Sequence, residues 1–433
     1  MLASLGSAKS LESQAPLNFK PVPMIQIEKR NAPKLRFPEF EEPWQKHKLG
    51  ELGSFKSGVG FPESEQGGTT GIPFYKVSDM NLPGNEVVMT TANNFVTKEQ
   101  VAKLKLKPTK ARAVIFAKVG AAIFLERKRK AKNFLLDNNM MAFIPGDEIR
   151  DEYLSHLFSV LRLSKFAQVG ALPSYNSSDL ATIKLSLPSV SEQSKIASFL
   201  DSVDVKIAQL KRNKSLLENY KNGCMQKIFS QKIRFKDENG NNFPDWEEKK
   251  LGEVATRIRQ KNDALDITDV LTNSAVQGII SQGDYFEHDV ANAENLDRYT
   301  IVQTGDFVYN PRISATAPVG PIKRNKLRVG VMSPLYDVFR FNKNENPDFW
   351  EQYFNANQWH KYMKQVANYG ARHDRMAISS GDFIAMPLPY PHPKEQHKIA
   401  EFLFILDRKI ELLGKELTYA FAFKQGLLQQ MFV

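Results

Sequence analysis

The sequence contains a single cysteine, Cys224, among 433 residues. One thiol cannot form an internal disulfide, and it cannot supply the ligands of a cysteine-based zinc or iron–sulfur site. The seven histidines are scattered, and the one close pair, His392 and His397, has no acidic or thiol ligand nearby in a recognised spacing. We therefore expect no metal site and a location in the reducing cytoplasm.

Long apolar runs are also missing. The stretch over residues 113–125 is the most apolar, but Lys118 interrupts it and it is too short to cross a bilayer. The first 30 residues lack the basic-then-apolar order of a secretory signal. We expect no membrane association, and we interpret residues 1–32 as a loose N-terminal tail.

Nucleotide and cofactor signatures are a third absence. The chain has no Gly-x4-Gly-Lys-Ser/Thr phosphate loop and no Gly-x-Gly-x-x-Gly turn. Residues 310–313 read Asn-Pro-Arg-Ile, which lacks the second proline and the aromatic residue of the Asn-Pro-Pro-Tyr motif of amino-methyltransferases. We interpret this segment as a turn, and we predict no catalytic residues and no bound cofactor.

Positive charge is present in excess. Lysine and arginine number 59 against 48 acidic residues, which gives a net charge of +11 and an isoelectric point near 9.3. Such a balance favours a polyanionic partner such as nucleic acid. The length predicts two or more domains, and 42% hydrophobic residues exclude wholesale disorder. A basic protein without a nucleic-acid partner is the alternative that composition leaves open.

Short motifs at the start of each half indicate an internal repeat. Each half opens with a Leu/Ile-Arg-Phe triplet, and a tryptophan follows five residues before a Leu-Gly-Glu triplet. These motifs occupy 35–37, Trp44 and 49–51 in the first half and 233–235, Trp246 and 251–253 in the second. Chance does not account for such matched spacing.

The longest match closes each half. Residues 174–230 align without a gap against residues 377–433 at a constant offset of 203. Both copies contain Glu-Gln-x-Lys-Ile-Ala-x-Phe-Leu and, further on, Lys-x-Gly-x-x-Gln-x-x-Phe. The enclosed segments, 55–173 and 255–376, are similar in length but share little identity. Constant ends therefore enclose two unlike middles, which we predict to be loop-rich α/β domains.

The closing segments have the periodicity of long helices. Apolar residues recur in alternating steps of four and three from Ile196 to Ile228, and again from Ile399 to Met431. We expect helices of about 35 to 40 residues, the first over residues 191–230. An apolar seam of this length needs a partner, and the nearest is the other copy, which predicts an intramolecular antiparallel coiled coil. Two separately buried helices are the alternative.

Basic residues cluster in both middles, where they could meet phosphates. Polar and aromatic residues near them could reach base edges. The candidate DNA contacts are Lys76, Ser78, Lys118, Arg127, Lys128, Lys130, Tyr175 and Asn176 in the first half, and Asn273, Tyr309, Arg312, Lys323, Arg324, Arg372 and Arg375 in the second. For each lysine or arginine a solvated surface position is the alternative, and for each polar residue a structural role in a turn.

These motifs resemble the specificity subunit of type I restriction-modification systems over residues 33–433. The resemblance implies two target-recognition domains, at 33–186 and 233–386, and two helical conserved regions, at 187–232 and 387–433. It also implies a chain without catalysis that binds double-stranded DNA and two modification (methyltransferase) subunits, with restriction/translocase subunits in the full complex. The partners would then carry the S-adenosylmethionine and ATP chemistry.

The predicted fold class is therefore α/β: two mixed α/β domains joined by two long antiparallel helices in a pseudo-twofold repeat. Two dissimilar basic domains on a rigid spacer suit a bipartite, asymmetric DNA target. A self-contained DNA methyltransferase or nuclease is the alternative, which the missing motifs oppose. A coiled-coil scaffold that binds no DNA would leave the basic clusters unexplained.

Overall fold

The computed structural model describes residues 32–168, 170, 172–285, 293–368 and 374–433. The β-strands in these residues are β1 Gln45–Lys48, β2 Gly53–Ser57, β3 Ile72–Tyr75, β4 Phe95–Val96, β5 Thr109–Ala117, β6 Lys128–Leu136, β7 Met140–Pro145, β8 Lys184–Leu187, β9 Glu247–Lys250, β10 Ala255–Ile258, β11 Leu271–Ser274, β12 Gly278–Ser281, β13 Thr300–Val302, β14 Phe307–Tyr309, β15 Ile322–Arg324, β16 Gly330–Met332, β17 Asp337–Phe341 and β18 Pro387–Tyr390. The α-helices are α1 Lys98–Lys103, α2 Asp151–Val160, α3 Ser177–Ala181, α4 Val190–Phe229, α5 Leu251–Val254, α6 Gln282–Tyr285, α7 Pro347–Asn355, α8 His360–Val366, α9 Ser380–Ile384 and α10 Pro393–Met431.

The chain forms two compact units. Unit 1 contains the residues up to Gln209 together with Leu417–Val433, and unit 2 contains Leu210–Glu416. Each unit therefore combines one mixed α/β domain with a part of both long helices. The predicted fold class of two α/β domains and two long helices is confirmed.

Unit 1 is built on a six-stranded mixed sheet with the order β2-β7-β5-β6-β3-β4. All neighbouring strands are antiparallel except β3 and β6. The central strand β5 reads Ala-Val-Ile-Phe-Ala over its last five residues, and all five are buried. Helix α2 packs Phe158 against Phe116 and Phe143, so the sheet carries the main core of the unit.

Unit 2 is built on a four-stranded sheet with the order β10-β17-β14-β15, which is entirely antiparallel. Its core is aromatic: Phe341 stacks on Trp350 at 5.0 Å between ring centroids, and Phe307 lies edge-on to Phe341 at the same distance. Helix α7 begins with Asn346 as a side-chain cap and Pro347 in the first turn, both favourable at a helix N-terminus.

The repeated opening motifs close each α/β domain onto the strand that precedes its long helix. Strand β1 pairs antiparallel with β8, and β9 pairs in the same way with β18. In unit 1 the backbone N–H of Leu49 donates to the carbonyl of Ile183 at 2.8 Å. A Cβ at the following Gly50 would lie 2.7 Å from the Cβ of Ala181, so this close approach requires glycine.

The repeated arginine and glutamate form a buried ion pair in each unit. Arg36 donates from Nε and Nη2 to the two carboxylate oxygens of Glu192, both at 2.8 Å. Arg234 makes the equivalent bonds to Glu395 at 2.8 and 2.9 Å. Glu192 is 1% exposed and Glu395 is fully buried. Each pair fixes the opening segment of a half to the first turn of its long helix.

The long helices are as long as the sequence predicts, at 40 residues for α4 and 39 for α10. In unit 1, the start of α4 packs against the end of α10, and Lys424 donates to Asp204 at 2.6 Å. In unit 2, the end of α4 packs against the start of α10, and Lys221 donates to Asp407 at 2.6 Å. The two helix segments therefore run antiparallel within each unit, as the repeated seam predicts.

Replacing Arg36 with alanine should lower the free energy of unfolding of unit 1 by about 3 kcal/mol, because the Glu192 carboxylate would stay buried without a counter-charge. Urea denaturation combined with hydrogen exchange of the first turn of α4 would measure the loss. The double replacement Arg36→Met and Glu192→Met should cost less. Arg112→Ala is the matched control, since its pair with Asp151 is exposed. A loss in Arg36→Ala no larger than in this control would contradict the prediction.

Candidate nucleic-acid interface

In unit 1 the candidate residues converge at the end of the central strand. We define site 1 as residues 117–127, 138–139 and 172–176. The carbonyl of Lys118 accepts a hydrogen bond from the N–H of Tyr175 at 2.9 Å, and the N–H of Gly120 donates to Pro173 at 2.8 Å. Within the described residues, the partly exposed Lys118 side chain makes no hydrogen bond or ion pair.

Unit 2 has the same backbone arrangement at the end of its own central strand. We define site 2 as residues 309–314 and 374–376. The N–H of Met376 donates to the carbonyl of Pro311, and the N–H of Ile313 donates to Asp374, both at 3.0 Å. Arg312 and Arg375 face each other in this pairing. The two sites therefore share a backbone frame although their sequences share little identity.

Arginine side chains carry the charge of site 2. Arg312 is exposed, and within the part of the chain that the structure describes its side chain has no hydrogen bond or ion pair. Arg375 is less exposed, and its Nε lies 3.7 Å from the carboxylate of Asp374. Arg372 lies outside the described residues. Residues 310–313, which the sequence analysis interprets as a turn, instead place Arg312 in a β-bridge. The side chain of Asn310 accepts from the N–H of Arg312 at 3.0 Å and donates to the carbonyl of Asn273 at 2.9 Å.

Three further candidates of unit 1 lie at or beside site 1. Arg127 donates to the side chain of Asn81, which ends the 3-10 turn Val77–Asn81 that also contains the exposed Ser78. Asn176 is exposed and caps α3 by accepting from the N–H of Ser178 at 3.1 Å. Lys118, Arg127 and Asn176 therefore all lie within the segments of site 1, and Arg127 links site 1 to the turn that contains Ser78.

Two other candidate cations of unit 1, Lys76 and Lys130, lie outside site 1. Lys76 precedes the same 3-10 turn and donates to Gln66 at 2.6 Å. Lys130 lies on β6 opposite Val114, partly exposed, and its backbone bonds to the segment around Val87. Both stay proposals as DNA contacts.

The structure corrects the expectation for Lys128. Its side chain is 7% exposed, and its ammonium group donates to Glu126 and to the carbonyl of Leu161, the latter at 2.7 Å. Burial lowers the pKa of Lys128, and the charge of Glu126 opposes this shift. A lysine so enclosed cannot meet a phosphate, because it pairs with the partly buried carboxylate of Glu126 instead.

Tyr175, Tyr309 and Asn273 are also corrected, since all three are buried. Burial raises the pKa of both tyrosines, and the Tyr309 hydroxyl donates to the carbonyl of Val319 at 3.0 Å. The amide of Asn273 donates to the carbonyls of Val308 and Pro321 at 2.7 and 3.2 Å. These groups hold the backbone of each site and are not accessible to a base.

Lys323 and Arg324, on β15, are engaged by groups of α7. Lys323 donates to Asn355 at 2.7 Å, and burial lowers its pKa. Arg324 donates to Asp348 at 2.6 Å, and Glu351 lies 3.7 Å away. A phosphate would have to compete with the acidic partners of Arg324, and Lys323 is partly buried and bonded to an amide. Both residues are therefore weaker candidates than Arg312.

Site 1 also includes polar residues that the sequence analysis missed. Asn138 and Asn139 are exposed in the turn between β6 and β7, and the carbonyl of Asn139 accepts from the N–H of Lys118 at 2.7 Å. The signal was the Asp-Asn-Asn sequence at 137–139, which is typical of a turn. Sequence alone did not reveal that this turn lies beside the end of β5.

The described residues contain one group with the spacing of metal ligands, His156, Asp201 and Asp204, whose ligand atoms lie within 4.8 Å of one another. His156 bonds to Asp201 at 2.9 Å, and burial lowers its pKa. Lys424 already supplies a cation to Asp204. We therefore assign this group to the packing of α2 on the long helices.

A membrane-spanning helix is absent from the described residues, since none combines the necessary length and apolar character.

Comparisons with known proteins agree with the repeat. A family model described as the type I restriction modification DNA specificity domain matches residues 41–219 and 244–418. Two Methanocaldococcus jannaschii proteins, described as the MjaX and MjaVIII type I restriction enzyme specificity subunits, are 26% and 25% identical over 300 and 311 residues. These alignments cover 65% and 66% of this chain and 68% and 70% of the relatives.

A solved structure has the same fold. The crystal structure of the type I restriction-modification S subunit from M. genitalium superposes with a TM-score of 0.52 and 15% sequence identity. The superposition covers 93% of this chain and 99% of that one.

Replacing Lys118 with alanine should weaken binding to any DNA duplex and reduce the slope of log K against log salt by about 0.9, since one phosphate contact is lost. The free energy of unfolding should stay within about 0.5 kcal/mol of the parent. Fluorescence anisotropy titrations of the full chain over a salt series would measure the slope.

Lys128→Ala is the matched comparison and should behave in the opposite way. It should leave the salt slope unchanged and destabilise unit 1 by about 2 kcal/mol or more, because Glu126 loses its counter-charge. A reduced salt slope in a stable Lys128→Ala protein would contradict this prediction. It would show that Lys128 leaves its buried position and contacts a phosphate when DNA binds.

Proposed function

The chain belongs to the type I restriction-modification DNA specificity family, and from that membership we propose that it reads a bipartite, asymmetric DNA target. We also propose that it directs partner methyltransferase and restriction subunits to that target. The observation that carries the proposal is the shared backbone frame of sites 1 and 2, which presents different side chains in the two units.

The different side chains are the reason to propose an asymmetric target. Site 1 offers Lys118 with the amides of Asn139 and Asn176, whereas site 2 offers Arg312 and Arg375. Asparagine can bond in a bidentate manner to adenine, and arginine to guanine. Two surfaces with such different donors would read different half-sites.

We propose a division of roles among the accessible candidates. Lys118, Arg127, Arg312 and Arg375 would contact phosphates or base edges at the two sites. Asn176 and Ser78 would read bases from the rim of site 1. Lys76 and Lys130 would contribute to the positive surface around that rim. Arg372, which lies outside the described residues, stays a predicted DNA contact of the second half.

The domain organisation follows from the repeat. Residues 33–186 and 233–386 would be the two target-recognition domains, and 187–232 and 387–433 would be the helical conserved regions. Because the two conserved regions share a repeated sequence and the same helical frame, they would offer similar docking surfaces to two copies of one modification subunit. Restriction/translocase subunits would join the full complex.

The chain itself is a specificity subunit and not the catalytic component. We propose that the modification and restriction subunits supply the S-adenosylmethionine and ATP chemistry. The alternative of a self-contained DNA methyltransferase or nuclease predicts methylation or cleavage by this chain alone.

Exchanging residues 55–173 for the corresponding segment of another family member should change one half of the methylated motif and leave the other half intact. The reason is that sites 1 and 2 each lie within one compact unit. Methylome sequencing of cells that carry the chain with its modification subunits would read both half-sites.

The reciprocal exchange of residues 255–376 is the control for this experiment and should change the other half only. A simultaneous change of both halves would contradict the modular proposal. Methylation in cells that lack the modification subunits would instead favour the self-contained enzyme.

We propose that the two long helices set the spacing between half-sites. Residues 204 and 221 of α4 are 17 positions apart, as are residues 407 and 424 of α10, and all four are held by the lysine–aspartate pairs. The segment between the two lysine–aspartate contacts therefore has the same length in α4 as in α10. A change of one helix alone would break this equality.

Four-residue insertions after Lys211 and after Gly414 together should lengthen the DNA spacer by one or two base pairs. Each adds about 6 Å of helix at 1.5 Å per residue, against about 3.4 Å per base pair of DNA. The measurement is methylome sequencing, with the half-site sequences expected to stay the same.

Two-residue insertions at the same positions are the control. They rotate the apolar seam by about 200° and should impair folding rather than alter the spacer. An active four-residue variant that keeps the original spacer would show that another feature sets the distance.

A further inference from the structure

Site 1 contains a group of exposed apolar side chains, which we call the tip. The 3-10 turn Ala121–Leu125 ends in Phe124 and Leu125, which are 55% and 61% exposed. Leu172, at 64% exposure, lies across Gly120 from this turn. Adjacent large apolar side chains at such exposure mark an interaction surface more often than an ordinary piece of protein surface.

The tip is held rigidly from both ends. Gly120, at φ 84°, enters the turn, and Glu126, at φ 52°, leaves it in the left-handed region. The strained Glu126 is kept in place because its carboxylate accepts from Lys128 and from the N–H of Ser164, the latter at 2.8 Å. Between the ends, Ile123 is buried in the core. The exposure of Phe124 and Leu125 is therefore built into the fold and does not reflect a loosely packed loop.

Positive charge lies on either side of the tip in sequence. Lys118 precedes it without an ion pair among the described residues, and Arg127 follows it with an uncharged partner, Asn81. The one acid between them, Glu126, is neutralised by the buried Lys128. A surface with apolar side chains between cations, and with its acid neutralised, is complementary to a polyanion. The proposed function makes DNA that partner, since DNA carries phosphates beside the apolar faces of its bases.

We propose that Phe124 and Leu125 act as a wedge that inserts between stacked base pairs in the half-site read by unit 1. This inference rests on the proposed function. Apolar wedges of Phe and Leu that partly unstack a base step are a known means of bending DNA, and flanking cations stabilise the bent backbone.

Site 2 has no equivalent tip in its described part. After Arg312, the exposed residues 314–316 are Ser, Ala and Thr, and Ala317 is buried. The wedge would therefore act in one half-site only. The half-site of unit 1 should contain a base step that unstacks easily, such as a pyrimidine–purine step.

The test uses the full chain in complex with its modification subunits and a duplex of its own target, identified by methylome sequencing. 2-Aminopurine replaces each purine of both half-sites in turn, and its fluorescence reports unstacking. Apart from the target bases, which the methyltransferase subunits would themselves flip out of the stack, the parent complex should raise the fluorescence several-fold at one step in the half-site of unit 1 and at none in the other. Phe124→Ala with Leu125→Ala should abolish the rise while thermal stability is unchanged.

Leu327→Ala, an exposed leucine of unit 2, is the matched control and should keep the rise. If the parent complex binds its target but shows no such rise, the wedge proposal is wrong while the proposed function stands. The same conclusion follows if the double variant keeps the rise. If the double variant retains the rise in DNA but no longer holds the modification subunits in gel filtration, the tip is a protein-docking surface. Failure of the parent chain to bind DNA at all would instead overturn the proposed function.

Discussion

The buried pair between Arg36 and Glu192, repeated as Arg234 and Glu395, is the contact on which the rest of the architecture depends. A carboxylate taken out of water costs several kcal/mol unless a donor satisfies it. Each glutamate lies in the first turn of a long helix, and each arginine follows the start of a repeat. The pair therefore forces the beginning of every half to meet the helix that ends it, which closes the α/β domain between them.

This closure explains how constant and variable sequence can coexist in one chain. The opening strand pairs with the strand before the helix, and together with the ion pair they form a clasp that recurs in both units. The enclosed residues need only supply a core and return to the clasp. Accordingly unit 1 uses a six-stranded mixed sheet and unit 2 a four-stranded antiparallel sheet behind the same frame. Variation of the middle leaves the junction with the long helices unchanged.

The elements that sequence could predict are those fixed by local periodicity and repetition. The spacing of apolar residues predicts the seam of α4 and α10 and the lengths of both helices. The internal repeat predicts where the clasp lies. The site was harder, because burial depends on contacts far apart in the chain. Lys118 and Lys128 look alike in a basic stretch, yet Lys128 neutralises Glu126 and bonds to Leu161, whereas Lys118 remains without a counter-ion among the described residues. Counting charges cannot separate the two.

The same reasoning explains why the aromatic candidates changed role. The sequence predicts that Tyr175 and Tyr309 could reach bases, but each packs beneath its site and supports the backbone pairing above it. A surface that reads bases needs a rigid support, because a hydrogen-bond donor that moves by an ångström can no longer distinguish one base edge from another. The buried tyrosines and the left-handed Glu126 thus keep the exposed residues in fixed positions. Substitutions among those exposed residues can then alter recognition without loss of the frame.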